Sequence, residues 1–190
     1  MNITSDDIKR LVAKYPYLIP VNVWTGKPSE DYDFTYMRGF HELPEGWTRL
    51  FLLFCKNLLP HLENSSLLDK FYFTQLKEKY GTMRIYTSVL PESVDFLVSL
   101  YENFSKQVCS KCGNPAKYHT KWWIEYLCEN CIDTHDKKDA SRVHKEKVLR
   151  VTVFSNGSSS IEERTYKHIR REYLDTLKLS DQQFVEYLLN

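Results

Sequence analysis

Near the start of the chain the apolar positions Ile8, Leu11, Val12 and Tyr15 recur three and four residues apart behind a polar SDD stretch, and the pattern stops at Pro16. This spacing places all four on one helical face, with Ser5 as the N-cap and acids in the first turn. A second helical period, Leu50, Phe51, Phe54, Leu58 and Leu59, follows PEGW at 44–47 and is expected to end near Pro60. Val94, Leu97, Val98, Tyr101 and Phe104 form a third, which runs directly into Cys109. In residues 71–87 the period changes. Phe71 and Phe73 share a face, Ile85 lies on the returning segment, and the turn falls at Lys79-Tyr80-Gly81-Thr82, which predicts a β-hairpin. Residues 17–40 mix branched and aromatic side chains with Pro and Gly, and predict extended segments and turns. Later in the chain VLRVTVF reads as a strand, SNGSSS as a turn or loop, and residues 165–189 as one or two helices, the last capped by Ser180.

Four of the five cysteines fall in one window as two C-x-x-C pairs, Cys109/Cys112 and Cys128/Cys131, with fifteen residues between the pairs. Each pair can turn its thiolates toward a common point, with Gly113 helping the first pair to do so. Four thiolates form a closed tetrahedral site for structural Zn2+, with no position left open for catalysis. His119 is the alternative to one sulfur. A C-x-x-C redox pair would need a βαβ setting that is absent from the pattern. Cys55 lies on the apolar helix and reads as a small buried hydrophobe. Between the pairs YHTKWWIEYL alternates Trp122, Ile124 and Tyr126 with Trp123, Glu125 and Leu127, and predicts a short, partly buried strand. The polar run after Cys131 predicts a helix at first, so the order is knuckle, strand, second knuckle, helix. That order is treble-clef-like, whereas a zinc ribbon would continue with another strand.

Together these segments predict an α+β fold: a small mixed domain with a β-hairpin, amphipathic helices and an integrated treble-clef-like zinc finger. The expected division is an α+β core at 1–107, the finger packed on it at 108–147, and a strand and helix extension at 148–190. With 190 residues, 42% of them hydrophobic and 14% aromatic, the chain can bury a real core. Apolar runs such as LFLLF are far shorter than the roughly 20 residues of a membrane span, and the N-terminal stretch is polar and acidic. The expectation is a soluble cytoplasmic protein without membrane contact.

The order YPYLIPVNVWTG, GF, PEGW, TQLKEKYGTMRIY, C-x-x-C, Trp, LCENC resembles a family of uncharacterised bacterial and phage proteins. Those proteins carry a GW before a helix, a QxKEK(F/Y)G hairpin and a cysteine finger. The resemblance covers roughly residues 15–132 and departs from the family at Thr82, where relatives have a second glycine. It implies a phage or prophage origin, and marks Gly46, Trp47, Gln75, Lys77, Glu78, Lys79, Gly81, Arg84 and Tyr86 beside the four cysteines.

Charge separates the function classes. Residues 106–150 carry 10 basic and 6 acidic side chains, while the segments on either side are slightly acidic and the whole chain is +1. Tyr118, Trp122 and Trp123 interleave with Lys111, Lys117 and Lys121, a combination able to stack bases and meet phosphates. Read instead as core aromatics with a solvated lysine rim, the same residues favour a protein partner, with host machinery or host defence as its source if the origin is phage. The first expectation is therefore a zinc-stabilised protein-binding factor that is not an enzyme, using the finger and the C-terminal extension. Nucleic-acid binding through the basic aromatic finger comes second, and a metal-dependent nuclease third. No P-loop, G-x-G-x-x-G, H-E-x-x-H or G-x-S-x-G occurs in the chain, and a catalytic constellation would have to come from Asp31, Asp33, His41, Glu42 or Glu45.

Overall fold

The computed structural model describes residues 3–19, 21, 25, 27, 43–89, 91–143 and 159–190. Of the extended segments expected in 17–40 only residues 17–19, 21, 25 and 27 are described. The strand expected at 148–154, the first four residues of the loop expected at 155–160 and the candidate residues Asp31, Asp33, His41 and Glu42 lie outside the described residues, while Ser159 and Ser160 open a helix instead of ending the loop. The architecture is α+β, as the patterning predicts.

Helix α1, Ser5–Lys14, starts one residue earlier than expected. Thr4, with extended backbone, accepts the Asp7 N–H at 3.2 Å, and the Asp7 carboxylate accepts the Thr4 N–H at 3.2 Å and its hydroxyl at 2.6 Å. Thr4 wins over Ser5 because only the residue three before an acid can close this reciprocal box. After a 3-10 turn at Pro16–Leu18, Tyr17 donates to the Cys55 carbonyl at 2.6 Å.

Helix α2, Thr48–Asn64, is the centre of the core, with Leu50, Phe51, Leu52, Leu53, Phe54, Cys55, Leu58 and Leu62 all buried. It does not end at Pro60 but carries that residue inside. The ring removes one backbone bond, yet fully buried Leu62 holds the last turn in place.

Strands β1, Phe73–Lys79, and β2, Thr82–Thr87, form the expected antiparallel hairpin. Tyr80 (φ +53°) and Gly81 (φ +72°) make its two-residue turn, both in the left-handed region that matches the strand twist. Register pairs Phe73 with Thr87 but Gln75 with Tyr86, so the ladder is bulged at Thr74. The bulge lets Phe73 and Leu76 bury on the same face although they are three apart. Helix α3, Glu92–Ser105, packs beside β2 and caps its outer edge. The Ser105 hydroxyl accepts the Met83 N–H at 3.0 Å, and Glu102 accepts the Ile85 N–H at 2.9 Å while pairing with Arg84 at 2.9 Å.

The C-terminal helices α5, Ser159–Thr176, and α6, Asp181–Leu189, dock on this core. Phe104 lies edge-on to Tyr166 and Tyr173, with ring centroids 5.8 and 5.4 Å away. Glu172 accepts Asn57 Nδ2 at 2.8 Å, and Arg49 pairs with Asp181 at 2.9 Å over the Phe184 ring. Helix α6 is capped by Ser180, as expected, and runs beside α1: Arg10 grips Glu186 at 2.7 and 3.0 Å, Lys14 donates to the Leu189 carbonyl at 2.7 Å, and Tyr15 donates to that of Leu188.

The finger has its own small sheet in the order β4-β3-β5, from β3 Tyr118–His119, β4 Tyr126–Leu127 and β5 Ser141–Arg142, with the short helix α4 Thr134–Asp139 before β5. YHTKWWIEYL is thus a hairpin rather than one strand. The reason is Thr120: its N–H reaches the Glu125 carbonyl at 3.0 Å and its hydroxyl accepts the Glu125 N–H at 2.8 Å, which folds residues 120–125 back on themselves. The helix after the second knuckle fits the treble-clef order, and β5 then returns to pair with β3. No helix among the described residues is long and apolar enough to cross a membrane.

Candidate metal centre

Three residues separate the end of α3 at Ser105 from Cys109, the start of the first knuckle. The Cys109 N–H donates to the Asn114 carbonyl at 2.8 Å and the Gly113 N–H donates to that of Cys109 at 2.9 Å, a tight loop that Gly113 permits with φ +79°. The second knuckle repeats the device, with the N–H groups of Cys131 and Ile132 both donating to the Cys128 carbonyl at 3.2 Å. Strand β4 sets the distance between them, since the Ser110 N–H donates to the Tyr126 carbonyl at 2.9 Å.

As a result the Sγ atoms of Cys109, Cys112, Cys128 and Cys131 lie within 4.8 Å of one another, with Cys112 and Cys128 3.5 Å apart. Corners of a tetrahedron with metal–sulfur bonds of about 2.3 Å are about 3.8 Å apart, so the cluster has the dimensions of a four-thiolate metal site consistent with zinc. Burial pushes the Cys109 thiol up, and burial together with the three neighbouring sulfurs pushes Cys131 up as well. Burial also acts to raise Cys112, but the Asn114 backbone N–H and the other three sulfurs outweigh it and hold this thiol below its ordinary value. Crowded sulfurs cannot all ionise without a cation among them, which is the electrostatic condition for binding one.

The four cysteines singled out from the sequence come together in one cluster. His119 does not join it; its ring lies against Tyr126 at 5.7 Å. Cys55 is fully buried in α2, as expected, and burial holds its thiol well above the ordinary value. Exposed Glu45 opens a 3-10 turn, Glu45–Trp47, and its carbonyl accepts the Thr48 hydroxyl at 2.9 Å. A second, exposed group, Asp133, His135 and Asp136, surrounds the start of α4, where Asp133 is occupied as the N-cap.

The finger is clamped to the core from three sides. Gly46 donates its N–H to the Ser110 carbonyl at 2.9 Å, and the Trp47 indole donates to the Val108 carbonyl at 3.1 Å. From the other side the Tyr173 hydroxyl donates to the Gly113 carbonyl at 2.6 Å. The third contact is at the hairpin turns, where a Cβ on Gly81 would stand 2.7 Å from Ile124 Cγ2 and 2.9 Å from the Ile124 carbonyl. The family motif marked Trp47 and the hairpin pattern put Gly81 in a turn, but neither showed that both face the finger. Tyr173 gave no signal beyond being one aromatic on a helix.

Trp122 and Trp123, expected in part to be core, are 96% and 76% exposed at the loop of the finger hairpin, while Tyr118 and Leu127 of the same hairpin are buried. In the KEK stretch Lys77 and Lys79 project from β1, Glu78 accepts the Gly81 N–H at 2.5 Å to close the turn, and Arg84 pairs with Glu102 of α3. No protein family, curated protein or solved structure matches this chain.

Proposed function

We propose that this chain is a zinc-stabilised binding protein that turns over no substrate. Cys109, Cys112, Cys128 and Cys131 hold a structural Zn2+, and the metal fixes the hairpin that presents Trp122 and Trp123. The observation that carries the reading is the exposure of those two indoles beside a closed four-sulfur cluster. Large aromatic side chains left uncovered on a rigid support are the usual anchors of macromolecular recognition. The C-terminal helices bury one face on the core, with Tyr166, Ile169, Tyr173, Phe184, Val185 and Leu188, and leave the opposite face to join the finger in the proposed partner surface. A phage or prophage origin, and with it a partner in host machinery or defence, rests on the motifs alone.

Cobalt substitution tests the central claim. The Co2+ protein should show the absorption of a tetrahedral four-thiolate site, unchanged by added azide. The Trp122→Ala/Trp123→Ala variant should keep its metal and its melting temperature. An anion-sensitive spectrum would reveal an open coordination position and overturn the non-catalytic reading, and a large loss of stability in the variant would show that the indoles are core.

A further inference from the structure

Every exposed large hydrophobic side chain among the described residues lies on two hairpins that touch each other: Tyr80 (71% exposed) and Tyr86 (43%) on β1–β2, and Trp122, Trp123 and Ile124 on the finger. Contact between Gly81 and Ile124 joins the two turns into one surface. Four of these five side chains are flat aromatics, and none is Leu, Val or Phe. Lysines stand beside them. Lys79 Nζ lies 5.5 Å from the Tyr80 ring centre, Lys77 Nζ lies 5.3 Å from that of Tyr86, and Lys121 directly precedes the tryptophans. Among the described residues no carboxylate is within ion-pair distance of Lys77, Lys79 or Lys121. The neighbouring acids are otherwise engaged: Glu78 by the Gly81 N–H, Glu102 by Arg84 and the Ile85 N–H, and Glu125 by the Ser110 hydroxyl at 3.4 Å.

We infer that this joined surface binds single-stranded nucleic acid, with bases stacking on Trp122, Trp123 and Tyr80 and phosphates meeting Lys77, Lys79 and Lys121. The inference rests on the binding reading above and gives it a partner. Exposed π-faces suit single strands because their bases are unstacked, whereas a duplex keeps its base faces covered. An aliphatic patch around the indoles would favour a protein partner, and here the surround is lysine and tyrosine with Ile124 as the one aliphatic side chain. The near-neutral charge of the whole chain counts less than the local surface, since phosphates a few ångströms away interact mainly with charges inside the Debye length of about 8–10 Å.

The test is a titration of the zinc-loaded full chain with fluorescein-labelled oligothymidylate of about twelve nucleotides, read by anisotropy and by quenching of tryptophan emission, with the matching duplex alongside. The expected result is preferential single-strand binding with quenching. Its logarithmic salt slope should be about −2 for three phosphates met, falling toward zero in a Lys77→Gln/Lys79→Gln/Lys121→Gln variant. Trp122→Ala/Trp123→Ala should weaken binding by on the order of tenfold per stacked base. Absence of binding to either oligonucleotide at low salt, equal or tighter binding of the duplex, or affinity indifferent to the tryptophans would each overturn the inference. The first of these would leave the surface to a protein. None of them touches the cobalt result, so failure here is distinguishable from failure of the binding reading itself.

Discussion

Gly46 carries no side chain because the first knuckle occupies the space where one would stand. A Cβ there would press into the Cys109 carbonyl and lie 2.6 Å from that of Ser110 and 2.7 Å from the Gly113 nitrogen, and all three are backbone atoms. Such atoms cannot rotate away, so relief must come from moving the knuckle off Gly46 and Trp47. Gly46→Ala is therefore expected to cost about 3 kcal/mol, measured as a shift of the urea midpoint at constant m-value. A cost below about 1 kcal/mol, the range of ordinary surface substitutions, would mean that the knuckle yields easily. The four cysteines could be read from sequence because coordination chemistry writes its requirement into local spacing. The constraint on Gly46 could not, since the atoms that impose it are more than sixty positions away.

Elements in this fold lean on one another through side chains as much as through apolar faces. Strand β2 would be an open edge were it not for Glu102 and Ser105, one turn apart on α3, which accept the Ile85 and Met83 N–H groups. Glu102→Ala should leave the hairpin paired but free the Ile85 amide, whose hydrogen exchange should accelerate at least tenfold while the β1–β2 ladder amides remain protected. Unchanged exchange at Ile85 would show that the carboxylate is dispensable. The hairpin itself was legible from its period and its Tyr-Gly turn. Residues 118–127 were not, because alternation of Trp122, Ile124 and Tyr126 looks the same in a strand as in a loop, and the deciding bonds come from the Thr120 hydroxyl and backbone. Pro60 misled for the converse reason: a local helix-breaking signal was overruled by burial of Leu62.

At the scale of the whole molecule the finger is a keystone rather than an appendage. Residues from the turn before α2, from the β1–β2 turn and from α5 all end on it, so its loss withdraws support from each. Metal binding to four thiolates contributes on the order of 10 kcal/mol, comparable with the entire stability of a domain this size. Chelation should therefore abolish the helical circular-dichroism signal and the metal content in one cooperative step. Helices that survive in the metal-free protein would show that the finger folds separately. The general α+β class was readable from patterning, while this clamping was not, because it is made of single hydrogen bonds between distant residues. The pairing of α1 with α6 adds a constraint in time: Tyr15 and Leu188 are 173 residues apart. At about 5–20 residues per second, a ribosome needs about 9–35 s to make the helix that pairs with α1, and for that interval Arg10, Lys14 and Tyr15 travel on the nascent chain without the α6 partners they hold in the fold.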